Sequence, residues 1–311
     1  MTDATTEKRF TDALHQLIAR IRADQSILAA ILCGSLAHDT VWDKSDIDLA
    51  LITIDNSKIE CSHISLYEGG VNIHAFLMPR AEFRKSIEGA ARNSFMHSLL
   101  AKGRLLYTHD ETIADICSRQ SEIGERDTQL QLLSAATQAL APVDKAHKWF
   151  LTRGDLDYAA LWILYAATPL ARIEVMSAGL LADREVIPQA LTLNPEFFTI
   201  VYTAMLNAKK TRKNVQAALG AIDRYLARRT RLLFGPILDY LRDVAETRSA
   251  TEIDSYFKRN FNVANAGIAC EYLAHRGLIG KASTPVQLTI RSRIVVQEQA
   301  FVHLGGGYNG E

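Results

Sequence analysis

The sequence predicts an α+β protein: a small mixed sheet near the N-terminus, then a helical bundle, then a short helix, turn, helix and ribbon before the end. Three observations carry that reading. Apolar runs of strand length stop at glycine or proline within the first 80 residues. From about residue 130 to 234 apolar residues recur at helical steps, and after residue 250 two short helical patterns are followed by an extended stretch. With 311 residues and 48% apolar content, the chain can bury the core of two domains, or of one domain with additions.

Phe10, Leu14, Leu17, Ile18 and Ile21 recur at three- and four-residue steps, so the first element is an amphipathic helix laid against a core. Ile27 to Cys33 is a short apolar run ending at Gly34, as a buried strand does when it meets a turn. Asp46 to Ile54 makes a second strand, and Val71 to Met78, entered through Gly69-Gly70 and ended by Pro79, a third. Glu82 to Leu100 is helical in pattern, and Arg104 to Tyr107 adds a short strand before the polar stretch Glu122 to Thr128.

That polar stretch marks a boundary, giving a first domain over residues 1–125 and a bundle over 126–245. The bundle helices are expected at Leu130 to Ala141, Asp144 to Leu151, Leu156 to Leu180, Pro195 to Asn207 and Val215 to Phe234. Residues 246–304 form a last segment: helices over Thr251 to Lys258 and Val263 to His275, a close at Arg276-Gly277, and an extended Lys281 to Thr289. Residues 305–311 are read as a frayed tail.

Charge and cysteine content exclude several function classes. Lysine plus arginine equals aspartate plus glutamate at 35 each, so no global field draws the chain to nucleic acid or an anionic membrane. Cys33, Cys61, Cys117 and Cys270 lie far apart, against a zinc site or a disulfide framework. The charged start MTDATTEKRF has no apolar leader, and no uninterrupted apolar run approaches the roughly 20 residues of a membrane span, so a cytoplasmic protein without a membrane partner is expected.

The chemistry concentrates between Gly34 and Asp48. Gly34 ends a strand without a side chain, so backbone N–H groups of the turn can approach phosphate oxygens, and Ser35 adds a hydroxyl donor. Asp46 and Asp48 stand two residues apart on a strand and therefore share a face, while Ile47 and Leu49 turn to the core. Two carboxylates on one face invite a hard cation, Mg²⁺ or Mn²⁺, completed by substrate phosphates. Lys44 and Ser45, just before Asp46, join Gly34 and Ser35 as nucleotide-binding candidates, and Trp42 is either part of that lip or a core anchor.

An apolar strand, Gly34-Ser35, a spacer of about ten residues and Asp46-x-Asp48 on the next strand resemble the nucleotidyltransferase superfamily, of the DNA polymerase beta and kanamycin nucleotidyltransferase kind. The resemblance covers roughly residues 26 to 80. It implies a nucleotidyltransferase domain that binds ATP or another nucleoside triphosphate with a divalent metal. Such a domain moves a nucleoside monophosphate, AMP by expectation, onto a hydroxyl acceptor as pyrophosphate leaves.

Many members of that superfamily carry a third carboxylate on the neighbouring strand, and this chain departs from them. The residues alternating to one face of Val71 to Leu77 are Asn72, His74 and Phe76. Imidazole suits Mg²⁺ poorly and titrates near neutrality, so His74 reads as a general base or as a buried histidine satisfied by a neighbour. Glu68, at the hairpin turn, is a third option for the missing acid.

Asp144, Lys148 four residues on, and Trp149 resemble the base carboxylate, lysine and tryptophan of kanamycin nucleotidyltransferase, whose active site is shared across a dimer. That makes Asp144 a candidate base, Lys148 a nucleotide contact and a homodimer an expectation. The same spacing also reads as a surface i,i+4 pair. Arg92 to His97 has the R-x4-H spacing of ribonucleases with HEPN-type helical domains and is read as coincidence.

The segment from Glu252 to Ile279 resembles winged-helix modules. Its second helix is mostly apolar, with Asn262, Asn265 and Glu271 as the few polar groups expected to be exposed. Packing or dimerisation is therefore the leading reading there and DNA contact the lesser one. Against the enzyme stands one other class: a nucleotide-binding regulator that lacks a complete catalytic set and acts through its bundle and winged helix. Pyrophosphate release with a pool of acceptors favours the enzyme, and a salt-dependent gel shift on DNA the regulator.

Overall fold

The computed structural model describes residues 4–33, 45–56, 59, 61–88, 103–118, 125–180, 182, 185–289, 291 and 293–305. Chain contacts divide it into two compact units, Met1–Ile123 and Gly124–Glu311.

The first unit is built on a five-stranded mixed sheet. After helix α1 (Ala4–Ile21) come β1 (Ile27–Cys33), β2 (Ile47–Thr53), β3 (His63–Glu68), β4 (Val71–Pro79), α2 (Arg80–Glu88), β5 (Arg104–Thr108) and α3 (Glu111–Ser118). The strand order is β3-β4-β2-β1-β5, with β2 and β4 parallel and every other neighbouring pair antiparallel. A two-residue turn joins β3 to β4, and Gly69 and Gly70 take φ of 55° and 81°, the positive values such a turn demands.

Alternation along the strands sorts their side chains onto two faces. Ala30, Leu32, Ile47, Leu49, Leu51, Val71, Ile73 and Ala75 pack with Phe10, Ala13, Leu14 and Leu17 of α1. On the other face Ala29, Ile31, Cys33, Ala50, Ile52, Phe76 and Met78 pack with Phe83 of α2 and with Ile113 and Ile116 of α3. Toward the opposite end of β2 and β4, the positions that continue this second face are Asp48, His74 and Asn72, none of them buried. One face of the sheet is thus apolar and covered at one end, and polar at the other.

The covered end is clamped. Asp55, just past β2, accepts the N–H of Ala81 at 2.6 Å at the start of α2, and Arg80 reaches Asp55 at 3.0 Å and Asp110, before α3, at 2.8 Å. Hydrogen bonds from Thr112 first, and then from Arg80, hold the Asp110 carboxyl below its ordinary range.

In the second unit α4 (Glu125–Lys148) runs on through a π-helical turn, Trp149–Arg153, to Gly154 at φ 65°. α5 (Leu156–Ser177), α6 (Val186–Leu193), α7 (Pro195–Phe198), the π turn Thr199–Thr203, α8 (Ala204–Asn207), α9 (Arg212–Arg228) and α10 (Thr230–Val244) follow. Then come β6 (Arg248–Ser249), α11 (Ala250–Phe261), α12 (Ala266–His275), β7 (Ile279–Gln287) and β8 (Val295–His303), the strands forming an antiparallel sheet ordered β6-β8-β7. A capping box between Ser249 and Glu252 starts α11. Helices and ribbon share one core, in which Leu133, Ile163, Phe234, Phe257, Leu273 and Phe301 are all buried.

Several elements differ from the sequence expectation. Pro142 does not divide α4, because Leu140, Val143 and Ala146 are buried around it and packing outweighs the lost hydrogen bond. The expected helix Val215 to Phe234 is instead two, parting at Arg229 with φ −108° and ψ 10°. The sequence pattern gives no expectation of β3, α3, α6, β6 or β8; β3 is short, exposed and carries only Ile64 and Leu66 as aliphatic residues. Of the helix expected from Glu82 to Leu100, the part beyond Glu88 lies outside the described residues, as do Arg92 and His97.

α12 turns Ala266, Ala269, Cys270 and Leu273 to the core. Asn262 and Asn265, expected as exposed polar groups of that helix, sit just before it at φ 55° and 60°, a conformation asparagine tolerates. Glu271 pairs with Lys281 of β7. Among the described residues one helix, α5, is long and apolar enough to cross a membrane by length and composition, and most of its apolar window is buried inside the fold.

Leu49 carries the packing of β2 on α1 and is fully buried. Leu49→Ala is expected to lower stability by about 2–5 kcal/mol, read as a lower midpoint in denaturant unfolding.

Candidate functional site

β2 is central in the sheet, and its first turn of pleat decides what the polar end presents. Ile47 and Leu49 are buried toward α1, so Asp46 and Asp48 must face the other way. On one side Asp48 is the register partner of Cys33 on β1, and on the other of His74 on β4. His74 Nδ1 lies 4.0 Å from an Asp46 carboxylate oxygen and 3.8 Å from one of Asp48. Both carboxylates therefore reach the same ring, at separations too long for hydrogen bonds.

His74 is not the buried histidine that was one of its two readings. Its side chain is 52% exposed, and among the described residues its partners are those two carboxylates. The reason is local: α2 and α3 cover Phe76 and Met78 farther along β4 and leave His74 and Asn72 uncovered.

Cys33 is buried, and burial first, with the Asp48 charge second, pushes its thiol up to about 12. It is a neutral wall of the site and no nucleophile. β1 ends at Cys33 and leads directly into Gly34. Gly34, Ser35, Trp42 and Lys44 lie outside the described residues, while Ser45 is partly buried just ahead of Asp46.

Glu68 falls away as the third acid. By alternation it shares a face with Leu66, which packs against the α1 core, and its carboxylate pairs with Arg20 of α1 on the opposite side of the sheet from Asp48. The residues that do extend the polar face were not singled out from sequence: Ser65 stands opposite His74, and exposed Tyr67 opposite Asn72. Their only signal was the alternation of His63 to Glu68 ahead of the Gly-Gly turn.

Asp144 and Lys148 lie on α4 in the second unit, and among the described residues no ion pair joins them, contrary to the surface-pair reading. Asp144 has a different setting. It keeps solvent contact, yet partial desolvation raises its pKa, with the charges of His147 and His275 pulling it down and that of Asp223 pushing it up. His147 Nε2 is 3.0 Å from Asp223 of α9, and that hydrogen bond raises the imidazole pKa.

Residues 15–112 match the family described as polymerase beta nucleotidyltransferase. The first unit therefore carries a nucleotidyltransferase domain, and its two sheet-borne aspartates lie inside the matched stretch. Among solved structures, a nucleotidyltransferase-like protein from Exiguobacterium sibiricum 255-15 is similar in fold, with 15% identity and a TM-score of 0.64. The likeness covers 94% of this chain and 99% of that one. No curated protein sequence matches.

A nucleotidyltransferase domain implies a divalent cation. Among the described residues no group of three or more His, Cys, Asp and Glu side chains forms a ready-made metal site. Two carboxylates that approach the same imidazole on an exposed sheet face are nonetheless the oxygen donors that suit a hard cation taking its remaining ligands from substrate phosphates.

The His147–Asp223 pair has a pH signature. Its folded imidazole pKa stands above the ordinary 6.5, so the stabilisation is complete below that pH and is lost as pH rises through the folded value. Thermal unfolding from pH 5.5 to 8.5 is expected to show the wild type losing its advantage over His147→Gln as pH rises.

Proposed function

We propose that this chain is a metal-dependent nucleotidyltransferase that moves a nucleoside monophosphate, AMP from ATP in the simplest case, onto an acceptor hydroxyl. The observation that carries the reading is the approach of the Asp46 and Asp48 carboxylates to the same imidazole, on the polar end of the sheet. That end adjoins the strand terminus from which Gly34-Ser35 continues. The family match over residues 15–112 supports it.

Asp46 and Asp48 would hold the cation, Mg²⁺ or Mn²⁺, which when bound neutralises charge developing on the phosphoryl oxygens. Gly34 and Ser35 would offer the triphosphate N–H and O–H donors, with Lys44 and Ser45 as further contacts. The acceptor oxygen attacks the α-phosphorus, the bond to the bridging oxygen of pyrophosphate breaks, and the hydroxyl proton passes to a base. Buried Cys33 beside Asp48 keeps water from that flank, and its neutral thiol adds no competing charge.

Asp144 is the base candidate on its own chemistry, since a carboxylate with a raised pKa holds a proton better. Asp144→Asn is expected to lower turnover by about 10²–10⁴-fold with nucleotide affinity unchanged, measured by steady-state kinetics beside calorimetry.

The decisive experiment supplies ATP, a divalent cation and a pool of hydroxyl acceptors, and measures pyrophosphate release. Asp48→Ala is expected to abolish release while circular dichroism stays that of the wild type; full activity in that variant would end the assignment. Tight nucleotide binding with no release in the wild type would instead make the chain the nucleotide-binding regulator.

A further inference from the structure

Which cation the site selects depends on a side chain that the function has so far left without a role. His74 is half-exposed and in register with Asp48 on the adjacent parallel strand, and among the described residues its charged neighbours are the carboxylates of Asp46 and Asp48. The nitrogen that faces them is Nδ1, at 4.0 and 3.8 Å. Neither separation is a hydrogen bond, so the ring is not locked onto either acid.

These separations have a chemical reading. With metal–ligand bonds of about 2.1 Å, adjacent ligand atoms of an octahedral ion lie about 3 Å apart and opposite ones about 4.2 Å. Both distances fall between those limits, so the three side chains are near one another without forming a metal group as they stand. Closing it requires the half-exposed imidazole to turn toward the carboxylates, which its exposure permits.

We propose that His74 is a direct ligand, through Nδ1, of the cation held by Asp46 and Asp48, and that this mixed donor set makes the site prefer Mn²⁺ to Mg²⁺. The inference rests on the nucleotidyltransferase reading, which supplies the cation. Mg²⁺ is a hard ion that sheds water reluctantly and takes oxygen ligands in near-ideal octahedra. Imidazole suits first-row transition cations, and Mn²⁺ is the member of that series that also accepts carboxylate and phosphate oxygens. A ring spent as ligand is not the general base, which leaves proton acceptance to another group.

The alternative is that His74 only borders the two carboxylates and never touches the ion. Pulsed electron paramagnetic resonance of Mn²⁺ separates the two, because only a directly bound imidazole couples its ¹⁴N strongly to the metal. The probe is Mn²⁺ with inorganic triphosphate, which has no nitrogen of its own, added to the full-length chain. In parallel, calorimetry compares Mn²⁺ with Mg²⁺ in the wild type, His74→Ala, His74→Asp and Asp48→Ala.

The wild type is expected to give a ¹⁴N signal and to bind Mn²⁺ more tightly than Mg²⁺. His74→Ala should lose the signal and most of the preference, and His74→Asp should shift it toward Mg²⁺. A wild-type spectrum without ¹⁴N coupling, which depends on no variant folding, overturns the proposal, as does a coupling that survives His74→Ala. Should Asp48→Ala still lose Mn²⁺ in those cases, the carboxylate site stands and only the role of His74 fails. Unchanged Mn²⁺ binding in Asp48→Ala, or none in the wild type, removes the site itself and the proposal with it.

Discussion

Everything functional here depends on the period of a β-strand. Because side chains on β2 alternate, burying Ile47 and Leu49 against α1 forces Asp46 and Asp48 to the opposite face. A one-residue slip of register would put both carboxylates into an apolar core, at a desolvation cost no small domain could offset. The hydrophobic face thus sets the chemistry of the polar one. The same rule on β4, read through its parallel register with β2, brings His74 beside Asp48 and keeps Phe76 and Met78 under α2 and α3.

Much of this was legible in the residues. Gly-Ser, the spacer and Asp-x-Asp are local signals, and the parity that puts Asn72, His74 and Phe76 on one face needs only counting. What counting lacks is which face is covered and how far along. His74 could be read as a buried histidine because nothing in its neighbours tells that the covering helices stop at Phe76. Glu68 offers itself as the acid because it stands at the hairpin turn ahead of β4, but alternation puts it on the other face of the sheet, against Arg20. β3 escaped notice because an exposed edge strand has little apolar pattern to display.

The second unit was legible as helical and illegible in its joints. Proline predicts a break from propensity alone, and around Pro142 buried neighbours override that penalty. The break at Arg229 carries no glycine or proline and is a tertiary decision. The polar residues around Asp144 come from three helices, so the setting of that carboxylate was invisible to any one-dimensional reading beyond its pairing with Lys148.

The clamp at the far end of the sheet has a consequence for how the domain can vary. Arg80 grips Asp55 and Asp110 together, tying the exit of β2, the start of α2 and the entry to α3 into a single knot. Residues on the outer faces of α2 and α3 can therefore change over generations, or be rewritten by an engineer, without shifting β2 so long as that knot holds. A domain built this way keeps its chemistry at one end of a strand and its anchorage at the other.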